Sequence, residues 1–161
     1  MNALFKITIS SVLINCFKIF VMPKTINQKI VFKNTKSKDL YDLYMNSKKH
    51  SIATGSPANI SPKEGGRYSA HDNYIKGKNL QLIKNKLIVQ TWRGAGWNKN
   101  DVDSTFIICL EQKGNDVVLY ATHANVPNNE YDSINKGWHE HYWQPWKKYL
   151  GGNPIGESIK M

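Results

Sequence analysis

The chain carries a His-x-His step, His139-Glu140-His141, close to its C-terminal end. On a helix, side chains two positions apart point to nearly opposite sides, so these imidazoles cannot share one ion. The helical zinc-hydrolase pattern needs histidines at i and i+4 with a third ligand, which this stretch lacks. No metal site is expected here; one histidine should pack at a sheet edge and the other be solvated. His123 follows Val117, Leu119 and Ala121 in an alternating run, which turns it to the inner side of a strand. A polar group there could orient a carbonyl or act as a general base, with Glu140 or Asp103 as the nearest partner in the sequence. The plainer alternative is an imidazole hydrogen-bonded to a neighbouring loop. No Cys–His or Ser–His–Asp set is present, and Gly65-Gly66 reads as a turn rather than a phosphate cradle. Neither a catalytic residue nor a cofactor is expected. Cys16 and Cys109 have no short spacing, which makes neither a disulfide framework nor a zinc site. Cys109, in the run Thr105–Leu110, is expected to be a small buried or half-buried packing residue.

Residues suited to binding are aromatic. Trp138, Tyr142, Pro145 and Tyr149 recur at helical spacing, with His139, Trp143, Trp146 and Leu150 forming the stripe beside them. So broad a face needs an equally broad cover, and a curved antiparallel sheet supplies one. Pro145 removes a helical hydrogen bond and predicts a kink near His141.

The covering strands are legible upstream. Ile30, Val31 and Phe32 mark a first strand over Lys29–Lys33. Ser37 is a candidate cap for a helix with Leu40, Leu43 and Tyr44 on one stripe, and a second short helix over Lys48–Thr54 stops at Gly55. Period-two alternation then predicts strands at Ala58–Ser61, Gly66–Ala70, Tyr74–Ile83, Leu87–Arg93, Ser104–Glu111 and Asp116–Ala124, separated by turn residues. Alternation turns Ile88, Trp92, Phe106, Ile108, Leu110, Val117, Leu119, Ala121 and His123 toward the last helix. The loop Gly94-Ala95-Gly96-Trp97-Asn98 suggests a lid or rim. Helices on one face of an antiparallel sheet make an α+β domain. The expected architecture is about six to seven strands gripping a long C-terminal helix, with two short helices after the first strand.

Composition agrees with a single small globular domain: 161 residues, 40% apolar and 21% charged. The net charge of +10 comes from scattered lysines, Arg67 and Arg93 being the two arginines, so nucleic acid is not an expected partner. Lys6 and Lys18 leave Ile7–Phe17 as the longest uncharged stretch near the N-terminus, too short to span a bilayer. Residues 1–21 read as an extension before Met22-Pro23-Lys24, or alternatively as a signal-like segment. The expected domain is 22–150, with 151–161 a tail; the expected location is the cytoplasm, or export if residues 1–21 act as a signal peptide.

Four stretches resemble a known family when taken together. They are Ser47-Lys48-Lys49-His50 with Thr54-Gly55; Gly65-Gly66-Arg67-Tyr68-Ser69-Ala70; Tyr74–Leu80 through Ile88–Arg93; and His123–Pro127 followed by Gly137-Trp138 and Tyr142-Trp143. In order and spacing they are similar to the helix-grip, START-like superfamily. Within it they resemble the C-terminal domain of the activator of the 90-kilodalton heat-shock chaperone ATPase. The resemblance implies an apolar cavity between sheet and last helix, bordered by Tyr68, Tyr74, Gln90, Trp92, Trp97, Phe106, Ile108, Leu119, His123, Trp138, Tyr142 and Trp146. The expected function is binding of a small hydrophobic molecule there without catalysis, held by apolar burial and oriented by His123, Gln90 and tyrosine hydroxyls. One alternative is a co-chaperone-type domain that binds a 90-kDa heat-shock chaperone and stimulates its ATPase through a lysine-rich surface. Another is a cyclase- or hydrolase-like enzyme using His123.

Overall fold

The computed structural model describes residues 22–151. The expectations for residues 1–21 and for the tail beyond Gly151 lie outside the described residues. In chain order the elements are β1 (Lys24–Phe32), α1 (Ser37–Met45), α2 (Ser47–Thr54), β2 (Asn59–Ile60), β3 (Arg67–Ala70), β4 (Ile75–Ile83), β5 (Leu87–Gly94), β6 (Ser104–Lys113) and β7 (Asp116–Val126). A C-terminal helical rod follows: α3 (Tyr131–Trp138), a π-helical turn (His139–Trp143) and α4 (Gln144–Leu150). The strands form one antiparallel sheet in the order β1-β7-β6-β5-β4-β3-β2, with the helices on its inner face. This is the α+β helix-grip architecture.

Alternation decides which residues face the rod. Along β5 every second residue, Ile88, Gln90, Trp92 and Gly94, is buried, and β6 and β7 bury Phe106, Ile108, Leu110, Leu119, Ala121 and His123. In β4 a bulge between Asn79 and Gln81 shifts the parity, so that Ile75 and Asn79 point inward before it and Leu82 packs on the core after it. Gly77 is required on this strand. A Cβ there would lie 2.0 Å from the Thr91 carbonyl oxygen and 2.7 Å from Cε1 of Tyr68, its partner across the ladder.

Three local expectations are corrected. β1 begins five residues earlier than Lys29, because Gln28 sits between the inward Ile26 and Ile30 and masks the alternation. Ser37 does not cap α1: Lys36 occupies that position, and the Ser37 amide donates instead to Gln112 Oε1 at 2.9 Å. Cys109 is exposed, because odd positions of β6 from Thr105 onward point away from the rod. By contrast α2 ends at Gly55 in the left-handed conformation (φ 70°), as the glycine predicts. Near His141, where Pro145 predicts a kink, the rod instead forms a π turn. The Gln144 amide reaches back to the His139 carbonyl, and Pro145 has no amide hydrogen to give.

Candidate functional site

The space between sheet and rod is filled with rings. Trp138 lies flat on Phe106 of β6, centroids 4.0 Å apart and 8° from parallel, and stacks on Trp143 at 5.5 Å. Tyr142 and Trp146 continue the cluster, Tyr142 lying 4.6 Å from Trp138 and 5.7 Å from Trp146, while Tyr44 of α1 closes its far side at 5.7 Å from Trp146. The π turn makes this possible: widening the helix by one residue puts both Tyr142 and Trp143 on the buried face and leaves His139 and His141 outside it.

Two chains of polar groups inside this packing are bonded internally, while the Trp146 indole nitrogen is buried without a partner. The indole N–H of Trp138 donates to Nδ1 of His123 at 3.1 Å, so the ring proton sits on Nε2, which donates to Ser104 Oγ at 2.6 Å; Ser104 passes its own proton to the Trp92 carbonyl at 2.9 Å. Both nitrogens of His123 are engaged, the residue is 1% exposed, and burial lowers its pKa to about 3. It is neutral at physiological pH and has no free lone pair to offer a substrate. Glu140 instead pairs with Lys136 at 3.2 Å, and Asp103 with Arg93 at 2.9 Å.

A second buried chain ties β4, β5 and α1 together. The Tyr44 hydroxyl donates to Gln90 Oε1 (2.7 Å), Gln90 donates to Asn79 Oδ1 (2.7 Å), and the Asn79 amide donates to the carbonyls of Ser61 and Lys63. Gln90 thereby anchors the loop before β3 from inside the core.

One cleft opens at the seam between the rod and the β3–β4 turn. It measures about 410 Å³ and is lined by His71, Tyr74, Ile75 and Trp92 on the sheet side and by Ile134, Gly137, Trp138, His141 and Tyr142 on the rod. Its turn holds His71, Asp72 and Asn73 at positive φ (50°, 53° and 65°), a strained run that aims the His71 ring at Tyr142, centroids 5.2 Å apart. Burial lowers the His71 pKa, and the nearby His141 adds to the effect. His71 Nε2 and Trp92 Nε1 are buried without a hydrogen-bond partner.

The family described as "Activator of Hsp90 ATPase homolog 1-like protein" matches residues 31–151, most of the chain. The chain belongs to this family. It is 30% identical over 136 residues to an "Activator of 90 kDa heat shock protein ATPase homolog" of Dictyostelium discoideum, covering 73% of this chain and 35% of the relative. It is also 24% identical over 126 residues to the human homolog 1, covering 76% and 37%. The chain therefore spans about a third of the length of the curated relatives it matches. The fold is shared with an HSP90 activator from Plasmodium falciparum (TM-score 0.69, 24% identity, 81% of this chain and 96% of that one). It is shared too with the Aha1 dimer from Colwellia psychrerythraea (0.67, 16%, 84% and 99%).

Within this activator-family domain the twelve residues read from the sequence separate into three groups. Tyr74, Trp92, Trp138 and Tyr142 meet at the cleft. Tyr68 donates its hydroxyl to the Thr91 carbonyl at 2.8 Å and borders a separate trough. Gln90, Phe106, Ile108, Leu119, His123 and Trp146 lie in the packed interior, and Trp97 is folded down onto Trp92, centroids 5.4 Å apart. The Trp97 loop is held rather than free: the Arg93 guanidinium donates to the carbonyls of Asn98 and Asp101. Among the described residues no group of three or more His, Cys, Asp or Glu is placed to hold a metal ion, and no helix is long and apolar enough to cross a membrane. Sequence reasoning passed over His71 and Gln28. Gln28 donates to Asn135 and accepts the Trp143 indole N–H, fastening β1 to the rod. The only sequence signal for either was a polar residue where alternation or turn chemistry called for another type.

Proposed function

We infer that this chain acts by contact with another protein, as a non-catalytic domain of the chaperone-activator type whose partner is a 90-kDa heat-shock protein. The observation that supports this most is the filled interior. The ring cluster occupies the space where a carrier would hold its cargo, and His123, the imidazole the sequence offers as a base, has both nitrogens bonded. What remains for function is surface. Family membership and the chaperone-activating names of its relatives supply the partner class. A cytoplasmic location belongs to the same reading. The test is titration of the chain into a 90-kDa heat-shock protein, following both heat of binding and ATP turnover. Saturable binding with raised turnover is expected. Absence of both at about 100 μM chain, well above the micromolar range of a transient contact, refutes the reading.

The cleft supports a second reading, a small apolar ligand gripped between the β3–β4 turn and the rod. Its volume suits such a ligand and its walls are largely aromatic. Native mass spectrometry of the purified protein should then show a co-purifying molecule, lost in Tyr142→Ala. A bare protein whose tryptophan emission ignores apolar ligands would dismiss it.

A further inference from the structure

The outer face of the sheet carries an arrangement of charge that folding alone does not favour. Arg67 on β3 stands directly across from Lys78 on β4, and Lys76 directly across from Arg93 on β5. Like charges facing one another across a ladder oppose pairing. One of these four cations is compensated. Arg93 bonds Asp103 at 2.9 Å and also donates to the carbonyls of Asp101 and Asn98. Among the described residues Arg67, Lys76 and Lys78 have no carboxylate within 4.0 Å, although lysines elsewhere, such as Lys33 and Lys136, do. Between the long basic side chains the floor is short and hydroxylated, Ser69 and Thr91, which leaves a trough of about 790 Å³ bordered by the four cations and by Asp103, whose carboxylate is taken by Arg93.

We propose that this trough is a docking site for an acidic polypeptide segment lying extended along β4. Lys76 and Lys78 project from the same face at the i, i+2 repeat of a strand, roughly 6.6 Å, which is also the spacing of alternate carboxylates on an extended chain. The chemistry favours carboxylates over nucleic acid. Two of the three free cations are lysines, which act as point charges; the guanidinium of Arg93 already holds Asp103 and two carbonyls; and the ring that borders the trough, Tyr68, is buried with its hydroxyl bonded to the Thr91 carbonyl, so it offers no open face for base stacking. The far edge is closed to strand addition, because the Ser47 hydroxyl takes the Ile60 amide of β2 at 2.8 Å, so recognition there runs through side chains. The proposal rests on the protein-contact reading for its partner, but its own test does not need that partner.

The experiment is fluorescence anisotropy of a labelled deca-glutamate peptide titrated with the protein at low salt. Saturable binding is expected, weakened at least tenfold in Lys76→Gln/Lys78→Gln and changed less than twofold in Lys84→Gln/Lys86→Gln, which removes equal charge at the β4–β5 turn. Equal losses in both variants would mean diffuse charge attraction, and the site falls. So does tighter binding of an oligothymidylate that the Lys76/Lys78 pair abolishes, which assigns the trough to nucleic acid. Repeating the titration with a 90-kDa heat-shock protein separates the two claims. Peptide binding without chaperone binding keeps the trough and removes the chaperone. Chaperone binding without saturable peptide binding does the reverse.

Discussion

Acid should unfold this domain earlier than its carboxylates require, and two buried histidines set the amount. Burial lowers His123 to about 3 and His50 to about 4 in the folded protein, while the unfolded chain titrates both near 6.5. His50 is held neutral in the same way as His123, its Nδ1–H donating to the Tyr44 carbonyl at 3.0 Å with Nε2 enclosed and unpartnered. Below pH 6.5 the unfolded chain takes up protons that the folded one refuses, so stability falls as pH falls, until the folded pKa values are reached. Each histidine then costs the folded state about 1.4 kcal/mol per pH unit, roughly 2 kcal/mol by pH 5 and about 4 kcal/mol for the pair. Against the 5–15 kcal/mol typical of a domain, that is a large fraction. His71, also lowered by burial, adds in the same direction. The assay is urea denaturation from pH 7.5 to 4.5, with imidazole resonances followed in parallel. Proton uptake on unfolding near pH 5.5 should approach two, and His123 should stay neutral down to pH 4. Uptake well below one proton, or a His123 resonance titrating near 6.5, would refute the enclosed network.

Gly77→Ala drives a methyl into the Thr91 carbonyl and the Tyr68 ring, and should lower stability by about 3 kcal/mol, read from the urea midpoint. Gln90→Leu leaves the Tyr44 hydroxyl and Asn79 Oδ1 buried without their partner and should cost about 2–4 kcal/mol. Adding Tyr44→Phe to it should cost less than the two separate losses together; strict additivity would show that the chain is not coupled. Gln28→Leu unfastens β1 from Asn135 and Trp143, so amide hydrogen exchange along β1 should quicken while that of β5 and β6 is unchanged.

Much of the fold is legible because its signals are local. Turn residues at Lys84-Asn85-Lys86 and Lys113-Gly114-Asn115 bracket runs whose alternation survives in the structure residue by residue, from Ile88 to Trp92 and from Phe106 to Leu110. What escapes is any feature decided by a partner distant in sequence. Gln28 breaks the alternation of β1 because its amide is satisfied by Asn135 and Trp143, more than a hundred residues on. The π turn is equally invisible, since only the need to bury Tyr142 and Trp143 together makes the wider helix worthwhile, and Pro145 marks merely its neighbourhood. The candidate site divides along the same line. Tyr74, Trp92, Trp138 and Tyr142 converge on the cleft, but His71 joins them only because three successive left-handed residues turn it back toward the rod.

A grip fold can leave the space beneath its helix open or fill it with side chains, and Trp138 is where the two outcomes can be told apart. Its ring rests on Phe106 at 4.0 Å and stacks on Trp143, while its N–H fixes the His123 tautomer. If it is core, Trp138→Ala should cost about 3–5 kcal/mol, because the neighbouring rings cannot all collapse into the void. The variant should then regain stability in the presence of indole, which fits the space removed, and the wild type should be indifferent to it. If Trp138 is instead the wall of a ligand chamber, the wild type should be the one stabilised by an apolar guest, and the alanine variant should lose that response with little change in its own midpoint. A stabilised wild type would return the interior to ligand binding. A rescued variant leaves the surface, and above all its uncompensated basic face, as the part of this molecule that meets a partner.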